Sequence, residues 1–339
     1  MSVTIKDVAA RAGVAPSTVS RVISDSAHIS EKTKQKVRKV MDEMGYHLNY
    51  SAQMLATQST KTIGIIMKNS TSESMHNSFF PEVIRGISAL CSKYEFSISL
   101  ATGESEEELF NDTVKMVRGK RVDGMIVLYS KKDDKVVPYL IESGIPFVVI
   151  GKPLIESSKI MFVDNDNVQA AKEATDFLLN LGHEKVAFIG EDEQFEVSEA
   201  RLNGFMQAVK GKGIAIPRSY IKNIKFDPNH GKQIVAELMD LSEPPTAVVV
   251  SDDLNALIVL TALSERGIKV PEDMSMIAFN NSVIAQVSNP ALTTVDTQTY
   301  QLGYESANCL IELVKEPTMF KKSVIIPTVI VERNSCLPL

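Results

Sequence analysis

The chain of 339 residues contains no tryptophan, only three cysteines, and no apolar run of any length. Each shortage excludes something. Cys91, Cys309 and Cys336 are odd in number and far apart, so they offer neither a disulfide framework nor a paired metal motif. That usage fits a reducing, cytoplasmic compartment. Apolar runs such as 147–150 and 324–326 fall far below the roughly 18 residues that can span a bilayer, so no membrane is expected as a partner. Residues 1–11 mix charged and small side chains and lack the apolar segment of a secretory signal. No GxGxxG or GxxxxGK[ST] follows a strand-like run, so dinucleotide and P-loop readings lack support. The five histidines (His28, His47, His76, His183, His230) are scattered, with no nucleophile–base or metal spacing. An enzyme is not expected, nor a cofactor, nor a metal.

What is present is ordinary in bulk and uneven in detail. At roughly 100–200 residues per domain the length suits two or three units. The formal net charge of −6 points away from nucleic acid only if it is spread evenly. It is not. Residues 1–60 hold eight cations and five carboxylates, a surplus of +3, which leaves −9 on the remainder. A small basic head on a large acidic body suggests nucleic-acid contact at one end, although +3 is also within the range of solvated surface.

The head has a readable grammar. Thr4 and Asp7 have the spacing of a capping box, and Ile5, Val8, Ala9 and Ala12 follow at helical intervals. Gly13 supplies a left-handed stop, and Pro16 suits the first position of a second short helix. That helix turns Val19, Val22 and Ile23 inward and Pro16, Ser17, Ser20, Arg21 and Ser24 outward. Two short helices across a glycine turn make the helix-turn-helix pattern. Arg21 has the fork that reads a guanine edge, and the serine hydroxyls suit bases or phosphates. A small three-helix module of another purpose fits the spacing as well. A third helix is expected from Ser30 to Met44, its lysines and arginines mostly exposed. Residues 47–62 read as a linker with some helical tendency, with Asn49 as a cap and Ala52, Met54, Leu55 and Ala56 as helix formers. About eight helical residues are too few to be stable alone, so this segment is expected to order on a partner.

The run VTIKDVAARAGVAPSTVSRVI at 3–23, with 29–46 behind it, closely resembles the head of lactose-repressor-family transcription regulators. The resemblance covers essentially the whole chain. It implies a homodimer on a pseudo-palindromic operator in double-stranded DNA, with a linker helix in the minor groove and Leu55 wedged into a base step. The DNA-contacting set is then Thr4, Lys6, Pro16, Ser17, Thr18, Ser20, Arg21, Ser24, His28, Asn49, Ala52 and Leu55. Two positions depart from the family. Ala15 stands where a capping Ser is usual, worth about 1 kcal/mol at a helix start. Ser24 stands where Asn is common.

Beyond residue 62, short apolar runs at 63–67, 96–102, 124–128, 147–150 and 160–163, then 186–189, 220–224, 247–250 and 274–278, alternate with helix-length amphipathic stretches. Such alternation means parallel sheet with right-handed crossovers. Two successive series suggest two similar α/β lobes. The expected fold is thus an all-α helix-turn-helix head (1–47), a hinge helix and linker (48–62), and a two-lobed α/β body. The resemblance makes that body like periplasmic sugar-binding proteins. It places lobe 1 at 63–163 plus 292–321 and lobe 2 at 164–291 plus 322–339.

Ligands of two-lobed α/β proteins sit at the carboxyl ends of strands. Residues just past those ends give the candidate effector set Phe79, Phe80, Tyr129, Lys152, Phe195, Glu196, Arg201, Asp252 and Asn280. Amides, carboxylates, an arginine and aromatic rings suit a sugar, and a purine or phosphorylated metabolite remains open. Phe79 and Phe80 also fit a core role, Asp252 a helix cap, and Arg201 an ion pair on the surface. The run Asp164-Asn-Asp-Asn167 looks metal-like, but an inter-lobe turn with Asn167 as a cap is the better reading. Within the family, FVVIGKP (147–153), VDNDNV (163–168) and FEVSEAR (195–201) most resemble maltose-operon repressors. That implies a small sugar effector of the maltose or maltodextrin class. A catabolite-control-type regulator that uses a protein co-repressor is the alternative. The C-terminus has no heptads, so no tetramerising zipper is expected.

Overall fold

A computed structural model describes residues 3–23, 26, 28–46, 59–67 and 75–339. Ser24, Asn49, Ala52, Leu55 and the expected linker helix lie outside the described residues. The chain divides into two units, Met1–Thr60 and Lys61–Leu339.

The described part of the first unit holds α1 (Ile5–Ala12), α2 (Pro16–Ile23) and α3 (Glu31–Glu43). The Asp7 carboxylate accepts the Thr4 amide at 2.9 Å and the Thr4 hydroxyl at 2.6 Å, which starts α1 and holds the Asp7 pKa below the usual carboxylate value. Gly13 ends α1 at φ 64°, a conformation a side chain would strain. The amides of Thr18 and Val19 close onto the Ala15 carbonyl at 2.9 and 3.2 Å, so α2 begins on backbone bonds at the position where a Ser would add an oxygen. Val8, Ala9, Ala12, Val19, Val22 and Val37 interlock as the core of this unit. Lys32, Lys36, Arg38 and Lys39 are exposed on α3, while Lys34 is 5% exposed, with its ammonium 2.9 Å from Glu31. Position 34 lies one turn before Val37 on the inward stripe. Its stem is therefore buried while its charge reaches out to a carboxylate.

The second unit alternates strand and helix. Its first series is β1 (Thr62–Ile66), α4 (Phe79–Lys93), β2 (Ser97–Leu100), α5 (Glu106–Arg118), β3 (Gly124–Val127), α6 (Val136–Ser143), β4 (Phe147–Ile150) and β5 (Met161–Asp164). The second is α7 (Asn167–Asn180), β6 (Val186–Gly190), α8 (Glu196–Gly211), β7 (Ile221–Asn223), α9 (Pro228–Met239), β8 (Ala247–Val250), α10 (Asp253–Glu265), β9 (Ser275–Phe279), α11 (Val283–Val287) and β10 (Thr293–Asp296). Then follow α12 (Thr299–Lys315), β11 (Ser323–Ile325) and β12 (Val329–Val331). The strands form two six-stranded sheets, ordered β11-β5-β4-β3-β1-β2 and β12-β10-β9-β8-β6-β7. The first is parallel throughout, and the second is parallel except for β12 on β10. Apart from their last strands, the two sheets repeat one connectivity. Central strands such as Ala247–Val250 are buried along their whole length, as continuous apolar runs in a sheet covered on both faces should be.

Two lobe boundaries move. The strand 293–296 pairs with β9 in the second sheet, so the chain returns to lobe 1 after Asp296 and not at residue 292. The strand 323–325 pairs with β5, so residues 322–325 belong to lobe 1. A short apolar run fits either sheet equally well, and only the packing of Leu292 and Val295 under the second sheet decides. Once back in lobe 1, α12 lies against α4 at close range. A Cβ on Gly86 would stand 2.1 Å from the Tyr300 carbonyl oxygen, and one on Gly303 2.0 Å from that of Val83. Only glycine lets these two helices touch backbone to backbone.

Candidate functional site

In each sheet the strand order reverses direction beside one strand, between β1 and β3 in lobe 1 and between β6 and β8 in lobe 2. Crevices at such switch points, outside the carboxyl ends of strands, are where open α/β sheets bind ligands. The two crevices face each other. Three chain crossings join the lobes, after β5, β10 and β11, and Asn165 ties them. Its side-chain amide donates to the carbonyls of Thr297 at 3.1 Å and Ile326 at 2.9 Å. The Ile326 amide in turn donates to the Asp164 carbonyl at 2.8 Å. This is a compact three-stranded hinge.

At the mouth the lobes meet. The Lys132 amide bonds the Gln194 carbonyl at 2.8 Å, the Glu196 amide bonds the Ser130 carbonyl at 3.0 Å, and Lys132 pairs with Glu199 at 2.8 Å. Deeper in, the Asn77 amide group donates to the Asp252 carboxylate at 3.2 Å. Between hinge and mouth lies a cavity of about 100 Å³.

Eight of the nine expected effector residues line this cavity: Phe79, Phe80, Tyr129, Phe195, Glu196, Arg201, Asp252 and Asn280. Lys152 does not. Its side chain is exposed, its backbone amide bonds the Asp164 carboxylate, and its charge draws the Glu196 pKa down. Gly151, at φ 109°, turns the chain there, so the residue after the strand end points away.

The polar residues hold one another. Arg201 is not on the surface. It is 8% exposed, its Nε donates to Asn167 Oδ1 at 3.1 Å, its guanidinium donates to the Ser251 carbonyl, and it stacks 4.2 Å over the Phe279 ring. Asp252 caps α10, accepting the amides of Leu254 at 2.7 Å and Asn255 at 3.2 Å. Its second oxygen takes Asn77 and, at 2.8 Å, Asn280. Capping and cavity roles therefore coexist in one carboxylate. Asn280, at φ 101°, accepts the Thr297 hydroxyl at 3.1 Å, which links the cavity wall to the hinge. Phe80 does double duty as well, lining the cavity and packing in the lobe 1 core.

Burial governs the charges. It pushes Asp164 up to about 7, with Glu196 as the next contributor, and it raises Glu196 and Asp252. Burial also opposes the charge on Arg201, while the carboxylates around it favour that charge. Two buried oxygens on the cavity wall, Glu196 Oε2 and Ser251 Oγ, have no protein partner among the described residues.

Among the cavity residues that escaped sequence reasoning are Asp164, Asn165, Glu191 and Ser251. Glu191 and Ser251 directly follow β6 and β8, so position alone marked them. The Asp164–Asn167 run is a turn, but Asp166 and not Asn167 caps α7, by accepting the Gln169 amide at 3.0 Å. Asp164 accepts from the Asn165 amide at 2.8 Å and the Asn167 side chain at 3.1 Å, so internal bonds account for the metal-like pattern. Among the described residues no cluster of acidic, His or Cys side chains suits a metal ion. None of their helices is long and apolar enough to cross a membrane.

In the first unit, Thr4, Lys6, Pro16, Ser17, Ser20, Arg21 and His28 are exposed and Thr18 is half-buried. Pro16, Ser17, Ser20 and Arg21 share one face of α2, opposite Val19 and Val22. The helix thus presents hydroxyls and a guanidinium on a rigid support.

Comparison with known proteins bears on both units. Residues 4–49 match bacterial regulatory proteins of the lacI family, and residues 175–336 match a periplasmic binding protein-like domain. The chain is 34% identical to the HTH-type transcriptional regulator MalR of Staphylococcus xylosus, over 98% of both chains. It is similar to the structure of a transcriptional regulator CelR–cellobiose complex, with a TM-score of 0.77, 28% identity, and 98% and 99% of the two chains covered. It shares its fold with the lac repressor dimer bound to operator, at a TM-score of 0.83, 23% identity, and 99% and 100% coverage.

Proposed function

The chain belongs to the lacI family of bacterial regulatory proteins, whose members are DNA-binding transcriptional regulators and not enzymes, and we propose that this one is a homodimeric repressor controlled by a small sugar of the maltose or maltodextrin class. The exposed face of α2 reads each half of a pseudo-palindromic operator. The sugar occupies the cavity between the lobes.

The observation that carries the sugar reading is the composition of that cavity. Phe79, Phe80 and Phe195 give aromatic walls for the apolar face of a pyranose. Arg201, Asn280, Glu196 and Ser251 converge on the same space, and the unpartnered Glu196 and Ser251 oxygens are acceptors for sugar hydroxyls. Carboxylates outnumber cations around the cavity, which favours a neutral polyol over a phosphate ester. The CelR–cellobiose complex supports a disaccharide-sized ligand.

A thermal-shift screen of mono-, di- and oligosaccharides, with purines as the contrast, tests this. A ligand present at 100 times its Kd stabilises the body by about 2.7 kcal/mol. Maltose-class sugars are expected to give such a shift. A response to purines alone, or to nothing, would overturn the reading.

A further inference from the structure

We propose that the cleft takes a linear, neutral oligosaccharide whose far end lies in a second, outer subsite built around Phe226 and His76. This rests on the sugar reading above and adds chain length to it.

Beside the inner cavity lies a larger one, about 900 Å³ against about 100 Å³. The two share a wall made by Asn77, Phe80, Glu191, Phe195 and Asp252. A ligand running from the inner space to the outer one passes between residues that line both and takes the place of the Asn77–Asp252 hydrogen bond that joins the lobes there. The outer space has the two elements a pyranose needs. Phe226, in the loop after β7, is 47% exposed and belongs to no core cluster. It stacks on His76 of the other lobe, with centroids 6.0 Å apart at 30°. The pair spans the cleft, and the exposed part of the Phe226 ring is the apolar platform. Around it stand groups suited to hydroxyls. Asn223 donates one amide hydrogen to Glu193 at 2.7 Å and keeps a second. His230 accepts the Lys225 amide on Nδ1 at 3.1 Å, so its Nε2 carries the proton as a donor. Glu193 and Asp227 supply acceptors. The carboxylates Glu191, Asp192, Glu193 and Asp227 outnumber the lysine Lys225, which disfavours an anionic ligand. Because the pair joins the lobes, sugar units seated on it also brace the closed arrangement.

The test is calorimetric titration of the full chain with maltose, maltotriose and maltotetraose, and with cellobiose, cellotriose and cellotetraose in parallel. In one series the affinity is expected to rise about tenfold from two units to four, and in Phe226→Ala the ratio is expected to fall to within about twofold. Phe226→Trp should keep the rise. Equal affinity for all lengths in the native chain would overturn the outer subsite alone, as would a ratio unchanged by Phe226→Ala. No binding in either series would overturn the sugar reading itself and the subsite with it.

Discussion

Arg201 decides the electrostatics of the cavity. It is a buried cation whose charge is favoured by Glu191, Asp252, Asp164 and Asp253, and it lowers the Asp164 pKa in turn. Removing one member of a buried ionic network leaves the others uncompensated, at about 3–5 kcal/mol. Arg201→Ala is therefore expected to lower the urea midpoint of the body and to abolish any sugar-induced thermal shift. Loss of the shift at unchanged stability would show that Arg201 contacts ligand without supporting the fold. The carboxylates give a pH signature. Asp164 and Asp253 are both raised to about 7 by burial. A carboxyl whose folded pKa lies above its unfolded value of 3.8 contributes stability that is fully present below that value and is lost as pH rises toward 7. From these groups, then, the body should be less stable at pH 8 than at pH 5, and Asp164→Asn should flatten the difference. Equal pH dependence in the two proteins would remove Asp164 from the explanation. Much of this site was legible because its residues follow strand ends, as Asp252 and Asn280 do. What was hidden is partnership. No spacing shows that Asp252 both caps a helix and holds Asn280, or that Asp253 is spent on the Ser282 amide at 2.7 Å and the Thr294 hydroxyl at 2.7 Å. Lys152 misled because the backbone turns at Gly151.

Among the elements, α2 is the one we propose to read DNA. Its apolar stripe is locked into the core through Val19 and Val22, so Ser17, Ser20 and Arg21 are held on a fixed face. A guanidinium that reads a base edge contributes about 1–3 kcal/mol of discrimination. Arg21→Ala should therefore lose preference for a selected operator over random duplex while keeping salt-sensitive non-specific binding. Competition titration with both duplexes measures this, and an equal loss on each would exclude base reading. The helices of the head were legible from local chemistry: the Thr4–Asp7 pair, Gly13, Pro16 and Ser30 each act within one turn. The strands were legible as Val- and Ile-rich runs. Their assignment to one sheet or the other was not, since 293–296 and 323–325 are both short and carry no mark of their neighbours. That choice is made by long-range packing.

At the scale of the molecule, the charge asymmetry and the hinge belong together. In the proposed function a head at +3 meets phosphate, a body at −9 does not, and the body contributes control. Asn165 gathers three crossings into one hinge, and Asn280 joins that hinge to the cavity wall through Thr297, the bonds through which the proposed effector would act on the angle between the lobes. Control of this kind is a coupling free energy between two sites, and it is reciprocal. The most direct test is operator affinity measured with and without a saturating maltose-class sugar, on duplex selected from random sequence by the protein itself. A change of about 5- to 150-fold in either direction is expected, with the same factor appearing in sugar affinity when operator is bound. An operator Kd that stays the same at saturating sugar would contradict effector control of this protein.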